Sequence, residues 1–280
     1  MEGFADKPRR PVGLIMDIQF ARSTQKAIIR AVITNLPPQA EIIELSCGRG
    51  HVVDELCKLG YAASGTNYSR YEDALPHIPI INGVDVTNMD TLPARKFDCV
   101  IFSESIQNIA DHQAVYRAIS HLLREGGLAI ITTPNIMNIK SRLHFLFTGF
   151  FKVKWNFIGF DVPPEEAFCY HNHPMHLPVN MYYAHVSGLS LHSAGGLHVK
   201  LKSMLLYGLF VIPIYLMTAY TVLFKEPFLK KSPQAPKLSR VLSSFSTLAA
   251  ERLLLVFKQE ETQTGERHST PVTWCRRSER

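Results

Sequence analysis

The residue pattern with the clearest chemical meaning is a glycine-containing turn, Glu44-Leu45-Ser46-Cys47-Gly48-Arg49-Gly50. It follows a short apolar run and precedes a helical pattern that starts near Val52. Glycines let a backbone pass close to a ligand, and the first turn of a helix offers it unpaired N–H groups. The order of strand, glycine turn and helix therefore predicts a cradle for a nucleotide-like ligand.

A second group of reactive side chains is rich in histidine: Tyr170-His171-Asn172-His173-Pro174-Met175-His176. Histidine changes its charge near neutral pH, which makes His176 and His173 candidates for a general base. Two other interpretations stay open. The His-x-His-x-x-His spacing suits a metal site, although no carboxylate pattern accompanies it and no metal is expected. Loop histidines also commonly bond to backbone groups alone.

Strand and helix patterns alternate around the cradle and must position these residues. Apolar runs without alternation, such as 99–102, are typical of a parallel sheet buried on both faces. The pattern predicts a doubly wound, Rossmann-like α/β fold. The predicted strands lie near 41–46, 61–66, 79–83, 97–103, 127–133, 198–203 and 253–257, and the predicted helices lie near 17–35, 50–59, 69–75, 112–125 and 179–194.

Four further motifs follow the glycine turn in a fixed order. They are Gly60–Ser69, Gly83–Val86, Phe97–Glu104 and Leu122–Asn135, which ends in Thr-Thr-Pro-Asn. Together with the turn they resemble class I S-adenosylmethionine-dependent methyltransferases, above all the small-molecule enzymes of the ubiquinone-biosynthesis and methionine-biosynthesis W type. The resemblance runs from about residue 40 to 135, and more loosely to the last predicted strand.

The resemblance implies a mostly parallel seven-stranded sheet with helices on both faces and S-adenosylmethionine as the cofactor. It also implies methyl transfer, and we expect the acceptor to be an oxygen of a small or lipid-linked molecule at a membrane surface. Asn67 takes the place of the family's acid for the ribose hydroxyls, and Asp85 matches the acid for the adenine amino group. The residues expected to bind the cofactor are Glu44, Ser46, Cys47, Gly48, Gly50, Asn67, Asp85, Val86 and Ser103.

Three positions depart from the family's pattern. Ser46 replaces the first glycine, Asn67 replaces an acid, and Gln107-Asn108 replaces Glu-His. These departures keep open a catalytically inactive, methyltransferase-like and membrane-associated binding protein. An NAD-dependent oxidoreductase is the third interpretation, because Gly48 and Gly50 also begin the G-x-G-x-x-G motif, in which Val53 replaces the third glycine.

An uncharged apolar run, Met204–Phe224, separates the last two predicted strands. As a helix it is long enough to span a bilayer. A single crossing conflicts with the fold, however, because strands on opposite sides of a membrane cannot pair. Pro213 lies at the centre and is expected to break the helix. The favoured hypothesis is therefore a monotopic hairpin or an interfacial anchor. A single span and a helix buried in the protein or in a dimer are the alternatives.

Composition sets the remaining expectations. The formal net charge of +6 lies mostly in the tails and short clusters, and no basic helix carries interleaved aromatic residues, so nucleic-acid binding is not expected. Five cysteines without a CxxC pair and no signal-peptide pattern predict a cytoplasmic protein, peripheral or monotopic on the cytoplasmic face of a membrane. The expected organisation is a flexible N-terminus 1–15, a methyltransferase domain 16–203 with a His/aromatic lid at 136–180, a hydrophobic insertion 204–245, the last strand 246–258 and a disordered tail 259–280.

Overall fold

A computed structural model describes residues 13–152, 173 and 175–260. Much of the expected lid, and nearly all of the expected flexible N-terminus and disordered tail, lie outside the described residues. The strands are β1 Glu41–Leu45, β2 Ala62–Asn67, β3 Ile80–Asn82, β4 Phe97–Ser103, β5 Leu123–Pro134, β6 Leu189–Val199 and β7 Ala250–Gln259. The helices are α1 Gly13–Asn35, α2 His51–Lys58, α3 His112–Leu122, α4 Ile139–Thr148, α5 Leu177–Val186, α6 Leu201–Tyr220, α7 Ala235–Leu242 and α8 Phe245–Ala249.

The strands form one seven-stranded sheet in the order β3-β2-β1-β4-β5-β7-β6. Strands β1 to β5 pair in parallel, and β7 runs antiparallel between β5 and β6. This confirms the predicted doubly wound sheet, including the pairing of the two strands that flank the hydrophobic insertion. The parallel strands all end at the same edge, so the loops that follow β1 to β5 meet there.

A separate apolar core covers each face of the sheet. Successive β1 side chains alternate between them: Ile43 and Leu45 join one core, whereas Ile42 joins the other. All three are fully buried, as are their neighbours on β4. The unbroken apolar runs of the sequence are therefore explained by a central strand that has no solvent-exposed face.

Three predicted elements were wrong in type or position. The strand predicted at 198–203 lies earlier, at Leu189–Val199, and α6 begins at Leu201. Residues 69–75 form turns and bends, because Pro76 disfavours helical geometry at the residue before it. The helix predicted near 179–194 ends earlier, and β6 takes over at Leu189. Gly196 lies inside β6, where a Cβ would approach the Cα of Ser246 to 2.9 Å. This glycine is needed for close packing of α8 on the strand.

The hydrophobic insertion is one continuous helix, so the hairpin prediction was wrong. Helix α6 contains Pro213 and continues as a π-helical turn over Thr221–Lys225. Proline removes one backbone hydrogen bond, to the carbonyl of Leu209 on the exposed side of the helix, where water can replace it. Within the described residues, Leu201–Lys225 is the one helix with the length and apolar composition to cross a membrane, and 6% of its apolar window is buried.

Candidate active site

The residues expected to bind a cofactor gather at the carboxyl edge of the sheet. Ser46–Gly50 follow β1, Asn67 ends β2, Asp85 comes after β3 and Ser103 ends β4. The parallel register sets Glu44 beside Gly65 on β2 and Ile101 on β4, which brings these loops together. The structure thus unites residues from four separate motifs in one region.

The glycine turn adopts the left-handed backbone geometry that its sequence suggests. Gly48 has φ +58° and Gly50 has φ +84° at the N-cap of α2. A Cβ added at Gly48 would meet nothing within 4 Å, so open space lies beside this residue. Ser46 also has a positive φ, +52°, which costs a non-glycine residue roughly 1 kcal/mol. That strain explains in physical terms why the related motif has glycine there.

Asn67 braces the turn instead of facing the open space. Its Oδ1 accepts a hydrogen bond from the Gly48 N–H at 2.8 Å, and its Nδ2 donates to the Gly48 carbonyl at 2.9 Å. The side chain is 2% exposed. Both polar atoms of its amide are therefore used within the protein, which the sequence comparison with a ribose-binding acid did not anticipate.

Glu44 is a buried acid next to the turn. It is 4% exposed, and its Oε2 has no hydrogen-bond partner among the described residues. Burial raises the pKa of Glu44 to about 8. Burial and the nearby Glu44 charge also raise the pKa of Cys47 to about 12, so this thiol is not a nucleophile at neutral pH. An unpaired carboxyl group in this position suits a ligand with a positively charged amine.

Asp85 is held in a local turn with one oxygen free. Its Oδ1 accepts hydrogen bonds from the Thr87 backbone N–H at 2.8 Å and the Thr87 hydroxyl at 2.7 Å. The Thr91 hydroxyl fixes the Asp85 backbone on both sides. No described residue bonds to Oδ2, which remains available to a ligand donor. The neighbouring Val86 is buried.

The end of β4 carries a polar network that the sequence comparison only partly identified. Ser103 Oγ and Thr132 Oγ1 lie 3.0 Å apart, and Glu104, with φ +54°, forms an ion pair with Arg252 of β7. The amide of buried Gln107 donates to the Glu104 carbonyl at 2.6 Å. Arg252 has no motif around it and becomes recognisable only when β7 is placed beside β5.

The two candidate bases occupy different surroundings. The His173 backbone N–H donates to the Gln107 carbonyl at 3.1 Å, which places this histidine against the loop after β4. His176 is the N-cap residue of α5, and burial and the nearby Arg142 charge lower its pKa. A third histidine, His112, was missed by the sequence argument; burial and His173 lower its pKa.

Metal binding finds no support in the described part of the chain, where no group of three or more His, Cys, Asp or Glu residues has a suitable arrangement. His171, the remaining histidine of the cluster, lies outside the described residues.

Comparisons with known proteins agree with this geometry. A family model for the methyltransferase domain matches residues 18–173, which is more than half of the chain. A SAM-dependent methyltransferase from Archaeoglobus fulgidus has a similar structure, with a TM-score of 0.53 and 13% identity over 88% of this chain and 99% of that one. An S-adenosylmethionine-dependent methyltransferase from Clostridium acetobutylicum has a TM-score of 0.52 and 13% sequence identity, and the match covers 89% of this chain and 95% of that one. At this identity the likeness concerns the fold. No curated protein sequence matches the chain.

Proposed function

Because the chain belongs to the methyltransferase family, with S-adenosylmethionine as its cofactor, we propose that it methylates an oxygen of a small or lipid-linked acceptor at a membrane surface. The observation that carries the proposal is the unpaired Glu44 carboxyl group beside an open glycine turn. A dinucleotide has no ammonium group to pair with this acid, whereas the amino-acid end of S-adenosylmethionine has one.

The residues of the cradle fit this cofactor. Glu44 would pair with the ammonium group, and the N–H groups at the start of α2 would face the carboxylate. The free Oδ2 of Asp85 would accept a hydrogen bond from the adenine amino group, with Val86 beside the ring. Asn67 would act indirectly, by holding the Gly48 peptide in place, and Ser103 would line the site from the end of β4.

The bound cofactor supplies an activated methyl group on a positively charged sulfur. The protein then has to align the acceptor oxygen with that methyl group and exclude water. An acceptor hydroxyl must lose its proton as the new bond forms, and His176 is the favoured base. Its lowered pKa keeps the imidazole neutral near pH 7, so it can accept this proton. His173 is the second candidate.

An apolar cleft supports a lipid-linked acceptor. It lies between α4 and α6, has a volume of about 340 Å³ and contains one charged residue, Arg142, at its wall. The same Arg142 lies close enough to His176 to lower its pKa. An apolar chain in this cleft would therefore place a polar head group near the proposed base. The lining residues are Ile139, Arg142, Leu143, Phe145, Leu146, Phe210 and Ile214.

Calorimetry and a labelling assay test the proposal in two stages. We expect the protein to bind S-adenosylmethionine and not NAD. Incubation with a lipid extract and methyl-labelled cofactor should then give a labelled lipid whose new bond is an O-methyl ether or ester. Tighter binding of NAD would contradict the cofactor, and an N-methyl product or a label confined to water-soluble molecules would contradict the acceptor class.

The role of His176 has its own test. His176→Gln should lower kcat by about a hundredfold while leaving the affinity for S-adenosylmethionine unchanged, since a general base contributes on this scale. His185→Gln, in an exposed position near the end of the same helix, is the matched control. An equal loss in both variants would show that α5 is merely sensitive to substitution.

A further inference from the structure

We propose that α4 and α6 form a docking surface for an anionic lipid bilayer, with α6 lying parallel to the membrane plane. The surface, called the α4–α6 face below, consists of the exposed large apolar side chains in residues 145–150 and 201–228. Of the 26 such side chains exposed among the described residues, eleven lie in 201–228 and four in 145–150. Soluble proteins seldom leave an apolar surface this concentrated without a partner.

The exposed side chains of α6 form a continuous stripe. Its main members recur at intervals of three or four residues, which is the spacing of one helix face. Each of them is at least 59% exposed, and no charged residue interrupts the helix from Ser203 to Phe224. The stripe consists of Leu201, Leu205, Leu209, Ile212 and Leu216, with Tyr220 and Phe224 continuing it beyond.

The opposite side of α6 contacts the domain at three places along the helix and the turn that follows it. Ser203 near its start and Val222 just after its end are both buried. Between them, the Tyr207 ring packs edge-on against Phe245 of α8, with ring centroids 5.0 Å apart. A membrane-spanning orientation would remove these contacts from one end of the helix. Lying in the interface keeps them all and still covers the apolar stripe.

Helix α4 extends the same surface. Leu146 and Phe147 are among the most exposed apolar side chains of the protein, and Phe145 stacks on Phe151 with centroids 4.6 Å apart. Leu146 also lines the cleft that separates α4 from Phe210 of α6. The cleft of the proposed acceptor site therefore opens onto the α4–α6 face, where a membrane lipid would enter it directly.

The charges around α6 select an anionic surface. Between residues 200 and 240 there are seven basic residues and one acidic residue, Glu226. The lysines at positions 202, 225, 230 and 231 are exposed and flank the apolar stripe at both ends. Lysines near the surface of an anionic leaflet each favour binding, whereas a second positively charged copy of this chain would be repelled. This arrangement favours a bilayer over self-association.

Membrane docking adds to the proposed function by giving the site access to a lipid-linked acceptor. Only this access rests on the proposed function, and the docking itself does not. Vesicle binding requires neither cofactor nor turnover. A protein that binds vesicles and does not transfer methyl groups would refute the proposed function alone. A protein that methylates a detergent-dispersed lipid and does not bind vesicles would refute the docking surface alone.

Co-sedimentation of the full chain with vesicles is the first test. We expect binding to vesicles of phosphatidylcholine with phosphatidylglycerol, and about a hundredfold weaker partitioning of the double variant Leu209→Glu/Leu216→Glu, because two leucines lose their burial in lipid. Ile33→Glu/Leu59→Glu alters two other exposed apolar side chains, away from the α4–α6 face, and should bind normally. Unchanged binding of the α6 variant would overturn the proposal.

The same vesicles test the contribution of the lysines to binding, and the protein without lipid tests self-association. Lys230→Gln/Lys231→Gln should weaken binding to the anionic vesicles about twentyfold and leave weak binding to pure phosphatidylcholine unchanged. Light scattering without lipid should give the mass of one chain. A dimer that Leu209→Glu/Leu216→Glu dissociates, together with an absence of vesicle binding, would instead assign the α4–α6 face to a second copy of the chain.

Depth-dependent fluorescence quenching separates an in-plane helix from a spanning one. The two probe variants are Leu205→Trp and Leu216→Trp, each made in a chain that carries Trp155→Phe and Trp274→Phe. The two positions lie about 16 Å apart along the helix axis. An in-plane α6 places both at the same shallow depth, and bilayer-embedded quenchers should affect them equally. A difference in depth approaching the full separation would show a spanning helix and overturn the proposed orientation.

Discussion

The cradle after β1 and the α4–α6 face are both incomplete, in opposite ways. In the cradle Asn67 and Gly48 are joined by two hydrogen bonds, whereas one buried carboxyl oxygen of Glu44 lacks a partner among the described residues. On the α4–α6 face a whole row of apolar side chains lacks cover. The ammonium group of one small cofactor would pair the acid of the first region, whereas only an extended surface would cover the second.

The cradle and the α4–α6 face should also differ in how much they contribute to the stability of the folded chain. Buried polar groups of the cradle are costly when unpaired, because the interior offers no water to replace a lost bond. Exposed leucines of α6 cost little in the free protein, and their burial is gained only on binding. Substitutions in the cradle should therefore change folding and ligand affinity together, and those on α6 should change association alone.

The largest expected effect is the loss of cofactor binding on Gly48→Arg. The arginine would fill the open space beside Gly48 and bring a positive charge to a site for a cationic ligand, so calorimetry should show about a thousandfold weaker binding of S-adenosylmethionine. Gly60→Arg is the control: this glycine also has a positive φ and no atom within 4 Å of a Cβ, but it lies after α2. Equal losses would indicate backbone strain as the cause.

A pair of leucines tests the difference in stability directly. Leu122→Ala in α3 removes a fully buried side chain and should lower the free energy of unfolding by about 3 kcal/mol. Leu209→Ala makes the same change on the exposed side of α6 and should alter it by less than about 0.5 kcal/mol. Urea denaturation of both variants without lipid measures the difference. A comparable cost at Leu209 would mean that α6 is covered in solution.

The ionisation of Glu44 should appear in the pH dependence of stability. Its pKa is raised from 4.5 in the unfolded chain to about 8, so the buried carboxyl group stays neutral while the unfolded one ionises. The associated stability is fully present below pH 4.5 and is lost by about 1.4 kcal/mol per pH unit up to pH 8. Glu44→Gln should lack this loss in urea denaturation at a series of pH values. The same pH dependence of the free energy of unfolding in Glu44→Gln and in the unaltered chain would contradict the burial of the acid.

The smallest expected effect concerns Asn67→Asp. This change would give the chain the acid that the motif resemblance implies for the ribose hydroxyls, but it removes the donor to the Gly48 carbonyl and places negative charge against it. We therefore expect about tenfold weaker binding of S-adenosylmethionine. Asn82→Asp, exposed at the end of β3, should have no effect. Tighter binding by Asn67→Asp would instead assign the side chain to the ribose.

The elements that the sequence predicted well are those with a local cause. Two glycines before a helix require the turn that is found, and unbroken apolar runs require strands covered on both faces. The pairing of the two strands that flank α6 was also predicted, although the first of them was placed at 198–203 and lies at Leu189–Val199. The errors arose where a residue had two local meanings. Pro213 was expected to break a helix, yet it lies within a continuous one.

The cradle's residue types, the family to which the chain belongs and the apolar length of α6 were determined by the sequence alone, because motif spacing and hydrophobicity are properties of consecutive residues. The tertiary structure decided which way Asn67 points, that Glu44 is unpaired, that Arg252 reaches Glu104, and that α6 lies against the domain. These features depend on which distant segments of the chain contact each other in the fold, because such contacts determine burial, pKa and hydrogen bonding. The sequence of the glycine turn therefore predicts a cofactor, whereas only the folded chain shows that the unpaired carboxyl group of Glu44 lies beside the turn.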